Sequence, residues 1–282
     1  MDYRKKFVVK PGSRVRLARI DPASSGGFAS RESAAPAARK QIERMDRLQY
    51  LLYADASQAL LIVLQAPDAG GKDGVIRHIF SGMDPQGIAV FAFKEPSKIE
   101  LAHDFTWRAH QHAPARGQVV IYNRSYYEDV LVTRVHKLVT RRVWLQRYEL
   151  INSYERILTA EGTRILKFYL HISPVEQLDR FKKRLEDPTR HWKITEADYA
   201  ERELWRQYRQ AYEDAIERTS TAWAPWYVIP ANHKWFRDLA VSTIVADTMD
   251  DMRLKFPQGQ VDLSEIRRKY HAATRRSRRA AA

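Results

Sequence analysis

The sequence predicts an α/β protein of three layers, α/β/α, with a central parallel sheet, and two observations carry that expectation. Five short apolar runs rich in β-branched and aromatic residues recur along the 282 residues, separated by stretches with helical spacing. The first of them, Ala59 to Gln65, leads through a tight glycine-rich turn into a helix whose first turn carries Lys72. At 44% hydrophobic content the chain can bury a large core. Residues 1–282 are read as one domain: a wrapping segment over 1–36, a core over 37–258 and a basic tail over 259–282.

The elements follow in order. Phe7-Val8-Val9 is strand-like, and Asp21 to Gly27 is a loop-rich stretch. Ile42, Met45, Leu48, Leu51 and Leu52 recur at helical spacing, which predicts an amphipathic helix from Arg31 to Ala54, packed on the sheet edge or on another subunit. After the first strand and its turn, a helix runs to about Phe80. Gly87 to Phe93 is the second strand, and a His- and Trp-rich helix spans roughly 98–112. Gly117 to Tyr122 is the third strand, and helical patterns fill 140–160. Ile165 to Ile172 is the fourth strand, Ser173-Pro174 opens a helix with proline at its first position, Trp226 to Pro230 is the fifth strand, and a closing helix spans Trp235 to Phe256.

Composition narrows the chemistry. No apolar run approaches the roughly 20 residues that cross a bilayer, and the start lacks the apolar core of a secretory signal, so a cytoplasmic protein with no membrane partner is expected. The absence of cysteine removes disulfides, thiolate catalysis and cysteine-ligated metals. Lys and Arg number 48 against 34 Asp and Glu, a net charge of +14, which points to a polyanionic partner. Part of that excess lies in the run from Arg267 to Arg279, which also reads as a solvated tail. The nine histidines show no metal-binding spacing, and the seven tryptophans read as core.

In open parallel sheets ligands bind at the carboxyl ends of the strands. That rule brings together Asp68 to Lys72 after the first strand, Lys94 after the second and Asn123 to Asp129 after the third. The Asp68-to-Lys72 turn is laid out as a phosphate-binding loop, in which backbone N–H groups and a helix N-terminus face an anion while a lysine reaches its outer oxygens. The match to G-x-x-x-x-G-K-[ST] is incomplete: Ala66 stands at the first glycine and Asp73 at the hydroxyl. A Gly-Gly-Lys turn also serves as a plain connection. Asp68 would repel bound phosphate unless a divalent cation intervened, so it is read as a magnesium ligand. Asp73 favours the helix dipole and Arg77 reaches a phosphate. Asn123 stands where an acid commonly orients magnesium, Arg124 is read as a phosphate clamp, and Glu128 and Asp129 as holding a second metal or the nucleotide, or simply as acids at a helix start. Phe181 to Lys193 combines a basic helix end with a proline turn, a solvated face or a lid over about 181–195.

Four blocks then carry a resemblance: Asp68-Ala69-Gly70-Gly71-Lys72-Asp73-Gly74; Phe93 to Ser97; Asn123-Arg124-Ser125-Tyr126-Tyr127-Glu128-Asp129-Val130-Leu131; and Ala224 to Trp235. Together with the lid segment, their order resembles the polyphosphate kinase 2 family, most closely its class III branch, over nearly the whole chain. The resemblance implies a P-loop kinase-like fold, similar to thymidylate kinase, with a helical lid. It implies Mg2+-dependent exchange of a terminal phosphoryl group between inorganic polyphosphate and ADP or AMP, with Mn2+ as the alternative ion and a homodimer or homotetramer as the assembly. Carried over, Asp68, Lys72 and Arg124 are catalytic. Gly71, Lys72, Asp73, Arg77, Lys94, Arg124, Arg184 and Lys193 hold phosphate. Asn123, Tyr127, Glu128 and Asp129 serve the nucleotide, and Asp68 and Asp129 the metal. No specific nucleic-acid partner is expected. The rival readings are an ATP-dependent nucleoside or nucleotide kinase and a non-catalytic polyanion-binding protein. At Ala66-Pro67, where the family usually has glycine and an unhindered residue, alanine resists positive φ and proline lacks an N–H, so a poorer phosphate cradle is expected.

Overall fold

A computed structural model describes residues 2–259 and 261–280; residues 1, 260, 281 and 282, the last three within the basic tail, lie outside the described residues, as do the side chains of Arg279 and Ala280. Six strands form one sheet in the order β1-β6-β5-β2-β4-β3, where β1 is Val8–Val9, β2 Ala59–Gln65, β3 Ile88–Ala92, β4 Val119–Asn123, β5 Thr163–His171 and β6 Trp226–Pro230. The five predicted strands are all present and pair in parallel. The sixth, β1, pairs antiparallel with β6 at the edge, and Phe7 belongs instead to the short helix α1, Tyr3–Phe7.

β2 lies at the centre and every one of its residues is buried. Its alternate side chains therefore feed two separate cores, as the pleat requires. Leu60, Ile62 and Leu64 join α2 (Arg31–Asp55) and the helices α3 (Lys72–Ile79) and α11 (Lys234–Asp251). Leu61 and Val63 join the opposite layer, built mainly by α7 (Arg141–Ala160) and α10 (Trp205–Thr219). Each such side chain, fully withdrawn from water, contributes about 1.5–3 kcal/mol. Helix α2 packs on α11 of its own chain, and Arg44 ties the two together through Asp247 at 2.6 Å and through Asp250.

Other differences from the sequence reading have local causes. The segment 98–112 is two short helices, α4 (Lys98–Leu101) and α5 (Trp107–Gln111), because the Asp104 carboxylate accepts from the Thr106 amide and turns the chain between them. The closing helix ends at Asp251 rather than Phe256. Between β4 and α7 lie a 3-10 turn at Tyr126–Asp129 and α6 (Val132–Val135). The segment expected as a lid, about 181–195, comprises the end of α8 (Pro174–Leu185) and a 3-10 turn at Pro188–Lys193, and α9 (Glu196–Glu203) follows it. Ser173 caps α8 by accepting from the Glu176 amide. Beyond the core, Leu263–Ala280 forms a helix, α12. Trp226 is fully buried, whereas Trp192 in the lid is 76% exposed, so the tryptophans are not uniformly core. Among the described residues no helix is long and apolar enough to cross a membrane.

Candidate functional site

The loop after β2 is shaped by three left-handed backbone positions. Ala69 has φ 58°, Gly71 has φ 104°, and Arg124, across the rim at the end of β4, has φ 63°. Gly71 is also held by contact, since a Cβ there would lie 2.1 Å from Nη1 of Arg237. A Cβ on Gly70 would meet that of Ala66 at 2.4 Å. Ala66 itself is not among the positive-φ residues, so the strain expected there falls on Ala69 instead. Left-handed non-glycine residues cost of order 1 kcal/mol each and persist where the surroundings hold them.

Those surroundings are visible. Arg180 of α8 donates to the Ala69 carbonyl at 2.8 Å and also to the Ala231 carbonyl, while Gln177 donates to the Asp68 carbonyl at 2.9 Å. Lys72, buried at the start of α3, donates to the Ala66 carbonyl at 3.2 Å. Burial, and then repulsion from Arg124, hold its ammonium below the ordinary lysine range. Arg124 reaches Asp68 at 2.9 Å. Asp73 accepts from the side-chain Nδ2 of Asn123 at 2.9 Å and faces Lys193, in the segment expected as a lid, at 3.7 Å, so its carboxylate links that segment to the rim. Arg184 donates to the Lys193 carbonyl at 2.7 Å and so shapes the lid turn.

Two cavities open on this rim. One, of about 950 Å³, is lined by eleven lysines and arginines against four carboxylates, and includes Gly71, Lys72, Arg77, Lys94, Arg124, Arg184 and Lys193. The other, of about 690 Å³, is walled by apolar and aromatic groups, among them Leu17, Ile20, Tyr169, Trp205, Tyr208 and Tyr212, with Glu128 facing in. Asp68, Glu95, Arg124 and Asp198 line both, so the cavities meet around the Asp68–Arg124 ion pair. Burial raises the Glu128 carboxyl, opposed by Arg124 and Lys72.

The structure thus draws together Asp68, Gly71, Lys72, Asp73, Arg77, Lys94, Asn123, Arg124, Arg184 and Lys193 on the basic side, and Glu128 on the aromatic side. Tyr127 and Asp129, expected at the nucleotide, line neither cavity. Tyr127 is fully buried, its hydroxyl 2.8 Å from Glu155 and 2.8 Å from Thr219. Asp129 points the other way along the 3-10 turn, 3.4 Å from Arg147 and 3.6 Å from Arg108. Burial nonetheless raises its carboxyl to about 6, against the pull of those two arginines.

Asp129 thus faces Arg147 and Arg108, and the structure does not bring it to the rim beside Asp68. Among the described residues no three His, Asp or Glu side chains are grouped to hold an ion. One or two carboxylates at a phosphate site suit Mg2+, which keeps waters and takes its other oxygens from substrate. Asp68, with Glu128 close enough to repel it, matches that sparse donor set.

Arg180 and Arg237, given no role by the sequence reading, also line the basic cavity, with Lys183 and Arg190 of the segment read as a lid and Lys234 of the fourth block. The signal was present: the rim rule was applied after three strands, and these cations follow the fourth and fifth. Sequence reasoning also missed that residues Leu17 to Pro22 of the wrapping segment wall the aromatic cavity, held by Glu213 at the Leu17 amide (2.7 Å) and by His171 at the Ile20 carbonyl (3.1 Å).

Comparison with known proteins places the chain among phosphotransferases. A family model described as polyphosphate kinase 2 matches residues 28–257. An AMP/ADP-polyphosphate phosphotransferase of Meiothermus ruber is 47% identical over 93% of this chain and 98% of its own length. An ADP-polyphosphate phosphotransferase of Rhodopseudomonas palustris is 42% identical over 90% of this chain and 92% of its own. The crystal structure of polyphosphate kinase 2 from Arthrobacter aurescens TC1 superposes with a TM-score of 0.89 at 39% identity, covering 94% of this chain and 98% of that one.

Proposed function

The chain belongs to the polyphosphate kinase 2 family, and on that premise we propose that it moves the terminal phosphoryl group of inorganic polyphosphate onto ADP or AMP, reversibly. The observation that carries the reading is the meeting of a basic cavity with an aromatic one at Asp68 and Arg124. A condensed phosphate, charged on nearly every unit, suits the first; a nucleotide base with its phosphates directed at Arg124 suits the second.

Phosphoryl transfer needs little covalent chemistry from a protein; alignment and cations facing the equatorial oxygens lower the barrier. In this reading the N–H groups at the start of α3 and Lys72 hold the phosphoryl being transferred, and Arg124 spans donor and acceptor. Arg77, Lys94, Arg180 and Arg237 align the chain, and Arg184 and Lys193 close from the lid. The acceptor oxygen already carries charge, so no general base is required. Asp68, with Glu128 near it, would hold a divalent cation, proposed as Mg2+ with Mn2+ as the alternative, which supplies charge neutralisation when bound. A cytoplasmic location and assembly as a homodimer or homotetramer belong to the same proposal, the latter checked by light scattering.

Incubating the protein with AMP or ADP, long-chain polyphosphate and Mg2+ is expected to yield ADP or ATP. No product across nucleotides and metals overturns the proposal. Turnover of a nucleoside with ATP, and none with polyphosphate, selects an ordinary kinase instead.

A further inference from the structure

Helix α12 lies past the segment matched by the family model, which ends at residue 257. Apart from half-buried Thr274, its residues with described side chains are exposed, so it buries no apolar face in the body of the molecule. Helix α11 begins at the rim with Lys234 and runs 18 residues, about 27 Å, to the far edge of the sheet. There the Met252 carbonyl accepts from Gln58, the residue before β2. The chain therefore leaves for α12 from the side of the sheet opposite the basic cavity.

The helix is amphipathic. At 100° per residue Arg268, His271, Ala272, Arg275 and Arg276 fall on one face and line one shallow groove. Arg267, Lys269 and Arg278 flank that face, and Leu263, Ile266 and Tyr270 lie opposite. The apolar stripe stops at Tyr270 while the cations continue to the end, so charge rather than apolar burial dominates the surface. Only Glu265 offsets it within the helix, paired with Lys269 at 2.8 Å. An isolated 18-residue helix is marginal in water, and like charges on one face weaken it further. An extended polyanion neutralises that face.

We propose that α12 is a second binding site for condensed phosphate, an exosite that holds a distant stretch of the polyphosphate chain whose end occupies the rim. The inference rests on the phosphotransferase reading for its ligand. A chain long enough to reach both sites gains from effective concentration, whereas a chain of a few units cannot span about 27 Å and gains nothing.

The test replaces Arg267, Arg268, Lys269, Arg275, Arg276 and Arg278 by Gln in the full chain. The KM for polyphosphate of more than about a hundred units is expected to rise about tenfold at low salt, with kcat and the KM for tripolyphosphate unchanged. Circular dichroism of the parent should show helicity gained on adding long-chain polyphosphate, and the variant should lack that gain. An unchanged long-chain KM overturns the exosite, as does binding by α12 of RNA or anionic phospholipid vesicles but not polyphosphate. If the parent turns over no polyphosphate at all, the functional reading fails by itself. Equilibrium binding of labelled long-chain polyphosphate to parent and variant then decides the exosite separately.

Discussion

Two buried lysines, Lys72 and Lys167, show how alike a functional and a structural charge can look until their partners are counted. Burial lowers the pKa of both, and each sits at or beside a strand of the central sheet. Lys167 in β5 spends all three ammonium protons: on Glu155 at 2.6 Å, the Thr219 carbonyl at 2.6 Å and the Tyr127 hydroxyl at 3.0 Å. Lys72 donates to one loop carbonyl at 3.2 Å, and its strongest charged neighbour is Arg124, which repels it. A saturated ammonium holds a fold together. One with protons to spare, on a strained loop beside a second cation and with Asp68, Glu128 and Asp73 offsetting its burial only in part, is stabilised further when an anion arrives.

The comparison breaks first at Lys167. Lys167→Met leaves Glu155 buried and unpaired, so a loss of about 3–5 kcal/mol in unfolding free energy is expected by denaturant titration, with turnover per folded molecule retained. Adding Glu155→Leu should recover most of that loss. If the single variant is stable and inactive instead, Lys167 serves catalysis and the distinction fails. Lys72→Ala is expected to do the reverse: turnover falling about 10²–10³-fold, and a melting temperature equal to or above the parent's because a desolvated charge has gone.

That contrast also marks what the sequence could disclose. The strand runs, the turn at Asp68 to Lys72 and the proline-led helix at Ser173-Pro174 were legible because local chemistry dictates them. So was the convergence of Lys72, Lys94 and Arg124, since a parallel sheet puts the carboxyl ends of all its strands on one edge. Glu155 was not legible, because it lies among Arg147, Glu149 and Arg156 on a helix whose charges look solvated. Tyr127 and Asp129 share a block with Arg124 and Glu128, and adjacency suggested a shared site. The 3-10 turn sends Tyr127 into the core and Asp129 to the arginines, a geometry that no periodicity records. Leu17 to Pro22 reaches the aromatic cavity through contacts more than 150 residues distant in sequence, such as Ile20 to His171, beyond any local pattern.

Asp129 sharpens the comparison from the acidic side. Two arginines face it, yet burial outweighs them and its carboxyl titrates near 6, above the ordinary 3.8. A raised acid binds its proton more tightly folded than unfolded. Its contribution to stability is therefore complete below about pH 4 and lost as pH rises through about 6. Asp129→Asn should remove that loss, changing the slope of stability against pH by at most about 1.4 kcal/mol per unit over this window. An identical slope in both proteins would mean the two arginines keep the carboxylate ionised throughout.

Arg124 joins both halves of the comparison, because its side chain belongs to the site and its backbone to the strain. Its amide donates to the Leu64 carbonyl at 3.1 Å, continuing the β2–β4 ladder, so the left-handed turn is fixed from behind while the guanidinium reaches Asp68. Removing the side chain two ways separates the parts. Arg124→Ala keeps a Cβ at φ 63°, whereas Arg124→Gly relieves it. Both are expected to lose about 10²-fold in turnover, since neither supplies a cation at the junction. The glycine variant should nevertheless be the more stable by about 1 kcal/mol, a melting difference of about 2 °C for a chain this long. Equal melting would place the cost of the turn elsewhere in the rim. Retained activity in either variant would remove Arg124 from the transfer step and leave Lys72 as the cation on which the chemistry depends.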